Sequence, residues 1–437
     1  MGAVGGETFA SLKLRNFRLF FGGQLISQIG NWLTMITQTL LVLHLTDNGF
    51  AIGVLAACQF GPVLVIGAWT GLVADRADKR RLLIIVQTLA MVQSFVLAAL
   101  AFSGDPPLLA IYAVALAGGV CVAFDNPARR AFVVEMVPET LVQNAVSLNS
   151  ALMTSSRVVG PALAGLLIHT VGYGWCFLVD GLSYLAVIAG LWLMRTSELR
   201  PAPITPRAKG QVRAGLRYVR RVPDLWIPLV MMAIVGTLAF NFQVVIPLLV
   251  QRSYDGNDGT FTLLYSVLSL GSLAGALLVA RRRSVAIRHV VITAAIFGVS
   301  LLIFAAAPTL LTAFPIALLV GGASIAFMTA STSIVQTRAE PQMRGRVLAL
   351  QAMVFLGSTP IGAPLLGRLC DEYGARSGLV VGGIACLAAA GWGLYATRGH
   401  RYADVVGVVN AASVEGSARS RPTGTPETPL PAGTATI

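Results

Sequence analysis

Arg157 stands inside a long apolar run, flanked by Leu152 and Met153 on one side and Val158 and Val159 on the other. It lies about eleven residues into a hydrophobic span, or ~16 Å at 1.5 Å per residue. A charge at that depth costs at least ~2.5–3.5 kcal/mol, so it needs partners or a wet cavity. Such a residue can bind an anion, form a gating ion pair, or serve as a structural tie to carbonyls. Two acids could neutralise it or carry a proton: Asp125, at one end of its span, and Asp180, near the opposite end of another. Gln24, Gln28, Asn31 and Gln38 are spaced by four, three and seven residues, which puts four amides on one helical face. They could line a polar cavity or hydrogen-bond between helices. Asn241 and Gln243 form a second amide pair, and Trp32, Phe240, Phe242 and Met328 supply apolar surface. Uncharged amides with aromatics suit a large, amphipathic, weakly charged small molecule.

Metal and catalytic chemistry find little support. Cys58, Cys121, Cys176, Cys370 and Cys386 fall in or beside apolar spans without a CxxC pair, as small packing residues do. His44, His169, His289 and His400 sit near span ends or loops, and none pairs with a Cys, Ser or acid at useful spacing. No phosphate-binding loop is present, so any pumping must draw on an ion gradient. No cofactor and no metal are expected.

The elements that must position these residues are membrane helices. Of 437 residues 55% are hydrophobic and 12% charged, against about 25% charged in a soluble domain. Apolar stretches of about 20 residues, long enough to cross a bilayer as a helix, recur along the chain. Alternating segments of about ten residues, the mark of a membrane β-barrel, are absent. Twelve spans are expected, near 19–45, 50–73, 82–103, 107–125, 146–170, 175–194, 225–250, 261–280, 290–307, 310–333, 348–370 and 377–397. Residues 1–18 lack a small-residue cleavage site and should remain attached. The expected organisation is a cytoplasmic N-terminus (1–18), a six-helix bundle (19–194), a cytoplasmic central loop (195–224), a second six-helix bundle (225–397) and a disordered cytoplasmic tail (398–437). Residues 211–221 form a basic amphipathic segment expected to lie on the anionic inner leaflet, with membrane lipid as its partner.

Net charge is +13, which in a soluble protein would suggest nucleic acid. Here the basic residues alternate with the spans. Of the 32 Lys and Arg residues, all but Arg157, Arg252, Arg368 and Arg376 fall on the side of the N-terminus. The positive-inside rule then puts both termini in the cytoplasm of a cell whose inner (plasma) membrane holds the protein, with no nucleic-acid partner.

The two halves repeat. Val159-Gly-Pro-Ala-Leu-Ala-Gly165 corresponds to Ile361-Gly-Ala-Pro-Leu-Leu-Gly367 at an offset of 202, which also pairs Gly172 with Gly374. Gly67 and Gly71 correspond to Gly271 and Gly275 at an offset of 204. A duplication of this kind suits two bundles rocking about a midplane site.

After the second span the chain reads Gly71-Leu-Val-Ala-Asp75-Arg76-Ala-Asp78-Lys79-Arg80-Arg81. Gly71 should let another helix pack closely. Asp75 sits where its own helix dipole disfavours a carboxylate, so it calls for an external partner. The run resembles the G-x-L-A-D-R-x-G-R-R signature of the major facilitator superfamily, with Val73 for the usual Leu and Asp78 for the usual Gly. The resemblance implies that Asp75 latches onto the start of helix 11 and onto an arginine, with Arg129 or Arg130 and Arg344 or Arg346 as candidates and Arg76 and Arg80 part of the motif. The matching loop, Arg281-Arg282-Arg283, has lost the acid. Phe124 to Pro138, followed by Arg157-Val-Val-Gly160-Pro161-Ala-Leu-Ala-Gly165, resembles the branch of enterobactin-type siderophore exporters and related drug-efflux proteins. This resemblance spans roughly residues 11–400.

It implies the twelve-helix major facilitator fold, an all-α membrane protein in two six-helix bundles, with helices 1, 4, 7 and 10 around a substrate cavity. It implies export of a drug, siderophore or secreted metabolite by proton antiport, from a monomer. Gly160 and Gly165 permit close helix packing and Pro161 removes a backbone bond, so this helix should pack across the halves on helix 8 or helix 1. The alternatives are an importer or facilitator of the same fold and, remotely, an integral membrane enzyme.

Overall fold

A computed structural model describes residues 8–200, 211–280 and 286–419. The first half contains α1 (Arg15–Thr46), α2 (Gly49–Arg76), α3 (Lys79–Phe102), α4 (Leu108–Glu135), α5 (Val142–Val171) and α6 (Tyr173–Trp192). After the short α7 (Gln211–Arg221) come α8 (Pro223–Leu238), α9 (Phe242–Tyr254), α10 (Asp258–Ala280), α11 (Ile287–Ala306), α12 (Leu310–Arg338), α13 (Pro341–Tyr373) and α14 (Arg376–Arg419). No strand occurs among the described residues.

Eleven helical segments are long and apolar enough to cross a membrane, with α8 and α9 together forming one of them. The twelfth span is α1, whose 32 residues suffice in length. Its amides and hydroxyls lower its hydropathy, and most of them face protein: Gln24, Ser27 and Thr37 are fully buried. The protein is thus a multi-pass, twelve-helix membrane protein.

The seventh span was expected as one helix and is broken at Ala239–Asn241. The Asn241 side-chain amide donates to the Thr237 carbonyl at 2.8 Å, the group that a continuous helix would bond through the Asn241 backbone N–H. The break turns Phe240 into a cluster with Phe242, Phe297 and Phe355.

The repeat is visible in the backbone. Gly172 and Gly374 close the turns after α5 and α13 with φ of +89° and +87°, a region in which a Cβ would be strained. Asp47 and Asp255 end α1 and α9 with φ of +43° and +50°. We call the side bearing Arg15 and Lys79–Arg81 the basic face and the opposite side the far face.

Three expectations change. Helix α7 does not expose its apolar side to lipid: Leu216 and Val219 pack with Leu225, Val335 and Val347, because the ends of α8, α12 and α13 offer a matching apolar surface. The stretch 398–419 is helical as part of α14, since no proline interrupts it before Pro422. That segment from Leu394 onward is a unit of its own. A Cβ at Gly71 would meet nothing within 4 Å, so no helix packs closely there; glycines that do carry packing between the halves include Gly49 and Gly53 of α2 and Gly165 of α5. Arg281–Arg283 lie outside the described residues.

Candidate functional site

A cavity of about 490 Å³ lies within the first half, reaching the second through Met328 of α12, and is lined by Gln28, Asn31 and Gln38 of α1, by Gln59 of α2 and by Gln87 of α3. Asp125, Asn126, Arg129 and Arg130 of α4 and Arg157 of α5 belong to the same wall, together with Gln93 and Tyr184. A second compartment of about 190 Å³ is framed by Phe240, Asn241, Gln243, Tyr265, Ser324 and Phe355. Trp32, Met35, Phe60 and Arg157 border both.

The amides of α1 are divided between the cavity wall and the layer behind it. Gln38 accepts from the Gln59 amide at 2.7 Å, and Asn31 accepts from the Tyr184 hydroxyl at 2.8 Å. Gln24 sits behind the lining, where its oxygen accepts from Gln28 at 3.3 Å and from Arg129 at 3.4 Å. Gln243 donates to the Met35 sulfur at 2.6 Å across the halves.

Arg157 is half-buried at the junction of the compartments, with its guanidinium 5.2 Å from the centre of the Trp32 ring. Among the described residues no acid pairs with it. Pro161, four residues on, has no N–H to give to the Arg157 carbonyl. A cation–π contact contributes about 0.5–2 kcal/mol, short of the ~2.5–3.5 kcal/mol that a guanidinium costs at membrane depth. The remainder falls to cavity water or to a bound group.

The acids have other partners. Asp125 pairs with Arg129 at 2.7 Å and accepts from the Gln87 amide at 2.8 Å. Arg129, expected as a partner of Asp75, is therefore a cavity residue: at i+4 from Asp125 on α4 it turns inward, while Asp75 is exposed at the end of α2. Asp180 is fully buried and accepts from the hydroxyls of Thr34 and Ser94, both at 2.7 Å, and of Ser183 at 3.4 Å. These donors come from α1, α3 and α6, so Asp180 ties three helices one layer behind the cavity. A Cβ on Gly30 would collide with its carboxylate.

The signature loop is divided between structural tasks. Arg80 donates to the carbonyl of Leu191 at 2.7 Å and of Trp192 at 3.3 Å, capping α6 where its dipole favours a cation. Asp78 caps α3 by accepting the Arg81 N–H at 3.0 Å, which gives the departure from the usual glycine a local purpose. Lys79 pairs with the buried Glu135 at 2.7 Å. Arg76 is exposed, and Arg346 lies near the start of α13 with its guanidinium 3.4 Å from the Met343 sulfur.

Contacts between the halves close the far face. Gly165 of α5 meets Thr262 of α10 across the halves, while Gly160 packs on Trp32 of α1 within the first half. Asp371 at the end of α13 accepts the backbone N–H groups of Gly49 and Phe50 at 2.8 and 2.9 Å. Arg252 pairs with Asp371 at 2.9 Å and donates to the Asp47 carbonyl at 2.6 Å, and Tyr173 donates to Asp258 at 2.6 Å. The larger compartment reaches the basic face at Asn126 and the exposed Arg130. Asp47, Asp371 and Arg252 were not singled out from sequence, although Arg252 is one of the few basic residues on the far side. Gln59, Gln87 and Tyr265 were missed because single polar groups in apolar spans carry no spacing signal.

A family model described as "Transmembrane secretion effector" matches residues 6–401. The chain is 23% identical to the Staphyloferrin A transporter of Staphylococcus aureus, over 85% of this chain and 93% of that one. It is 25% identical to Macrolide efflux protein A of Streptococcus pyogenes, over 87% and 96%. It is 23% identical to the enterobactin exporter EntS of Shigella boydii, over 86% and 89%. Among solved structures, a bacterial homologue of the human lysosomal transporter Spinster, inward-facing and occupied, superposes with a TM-score of 0.69 at 15% identity, covering 87% of this chain and 96% of that one. The nucleoside transporter NupG superposes with a TM-score of 0.70 at 14% identity, over 88% and 99%.

Proposed function

The chain belongs to the transmembrane secretion effector family of the major facilitator superfamily, a transporter family rather than an enzyme family, and from that premise we propose that it exports a small amphipathic molecule by alternating access, coupled to proton antiport. The observation that carries this is the pair of compartments that meet at Arg157 and together draw on both halves, with inter-half contacts of Asp371, Arg252 and Gly165 on the far face and the larger compartment reaching the basic face at Arg130. With the basic face cytoplasmic, this is the state that loads cargo from inside the cell. The named relatives handle siderophores and macrolides, and this chain's cargo is of that kind: a drug, siderophore or secreted metabolite. Gln28, Asn31, Gln38, Arg157, Asn241 and Gln243 contact it.

Asp180 is the proton carrier in this scheme. It is held by hydroxyls rather than by a cation, so it can cycle between charged and neutral forms without breaking an ion pair. Thr34 links it to the cavity wall. Asp125, already committed to Arg129, is the second candidate. The protein works as a monomer in the plasma membrane with both termini in the cytoplasm. Expression in an efflux-deficient bacterium tests direction: lowered cell content of siderophores, macrolides or dyes supports export, and raised content supports an importer.

A further inference from the structure

We propose that the cargo binds as an organic oxyanion, with its negative group on Arg157 and an aromatic or apolar ring in the compartment bounded by Phe240, Phe355 and Tyr265. The proposal rests on the transporter assignment and narrows its cargo. The charges lining the two compartments are three arginines and one acid: Arg129, Arg130, Arg157 and Asp125. Asp125 spends its charge on Arg129 at 2.7 Å. Arg130 and Arg157 therefore leave the cavity with uncompensated positive charge, and a cationic guest would be repelled by both in a space of low dielectric. Arg157 is the better placed of the two. It borders both compartments, has no acidic partner among the described residues, and lies over the Trp32 ring with its central carbon 5.2 Å from the ring centre. A planar guanidinium so held presents its remaining N–H groups for two-point contact with a carboxylate, catecholate or similar oxyanion. The buried Gln38 amide nitrogen, without a partner on the same wall, is a further donor for an anionic or carbonyl oxygen. Next to Arg157 the smaller compartment turns aromatic: Phe240 lies 5.1 Å from Phe355 and Trp32 6.4 Å from Tyr265, ring centre to ring centre. Charge on one side and rings on the other define an amphipathic anion.

The test is calorimetric binding to the full-length protein in lipid nanodiscs, using 2-naphthoate and its isosteric cation 2-naphthylmethylammonium. Naphthoate should bind at least ten-fold more tightly. Arg157→Gln should lose ten-fold or more for naphthoate and leave the ammonium unchanged, while Arg157→Lys should recover part of the loss. Unaltered size-exclusion behaviour of the variants shows that they fold. Equal affinity for the two probes, including no detectable binding of either, overturns the proposal, as does unchanged naphthoate binding by Arg157→Gln. Vesicles that move cationic dyes but neither move nor are inhibited by naphthoate would also overturn it while leaving the transporter assignment intact. Naphthoate bound through Arg157 in a protein that moves no probe would support the site and remove export.

Discussion

The carboxylate of Asp371 accepts the backbone N–H of Gly49 at 2.8 Å, fastening the last turn of α13 to the first turn of α2 on the far face. The N-terminus of a helix carries partial positive charge, so a carboxylate there is stabilised. Asp75 occupies the corresponding place in reverse, at the last turn of α2 on the basic face, with α13 beginning at Pro341. The same two helices thus carry an acid at opposite ends. This is the arrangement expected if each acid favours the state in which its own face is closed.

Removing the far-face acid should loosen that closure. A hydrogen bond to a charged group contributes ~1.5–3 kcal/mol, so Asp371→Asn should shift the equilibrium toward an open far face by roughly ten-fold or more. Spin labels at Asp105 and Thr309, exposed far-face positions on opposite halves, should gain a population at longer distance. An unchanged distribution would show that Asp371 does not hold the gate.

Asp75→Asn should act in the opposite sense, favouring the state open at the basic face and drawing the same labels together. No change in their spacing would count against a latch at Asp75.

Gly165 lies against the Thr262 side chain, and a methyl group there forces the interface apart at a cost of ~1–3 kcal/mol. Gly165→Ala should slow transport several-fold and expose the far face to thiol reagents. The double variant Gly165→Ala, Thr262→Gly should restore both. Failure of that rescue would place the defect elsewhere in α5.

Asp180→Asn keeps the shape and removes the exchangeable charge. It should fold, retain cargo binding and downhill exchange, and lose proton-driven accumulation. Asp180→Leu should instead destabilise the bundle by ~1–3 kcal/mol, because the hydroxyls of Thr34 and Ser94 lose their acceptor. Proton-driven accumulation surviving in Asp180→Asn would assign coupling to another group.

The spans were legible because a bilayer imposes length and hydropathy, and because the repeat recurs at Gly172 and Gly374, where the backbone requires it. The break at Asn241 was not legible, because a side chain that replaces a helix bond leaves the composition unchanged. That Arg157 would border a cavity was readable from its cost at membrane depth. The cavity roles of Arg129 and Arg130 were not, since basic residues at a span end read first as topology signals. The Asp371–Gly49 tie joins residues far apart in sequence, and only the packing of α13 on α2 brings them together.

The central claim is proton-coupled export through the Arg157 cavity, and uptake into everted membrane vesicles tests it most directly. The probes are a carboxylate siderophore, a catecholate siderophore, a macrolide and ethidium, each with and without a protonophore. We predict energy-dependent accumulation of at least one anionic probe, abolished by the protonophore and by Arg157→Ala at unchanged membrane abundance. Accumulation that survives collapse of the proton gradient, or full activity of Arg157→Ala, would contradict it.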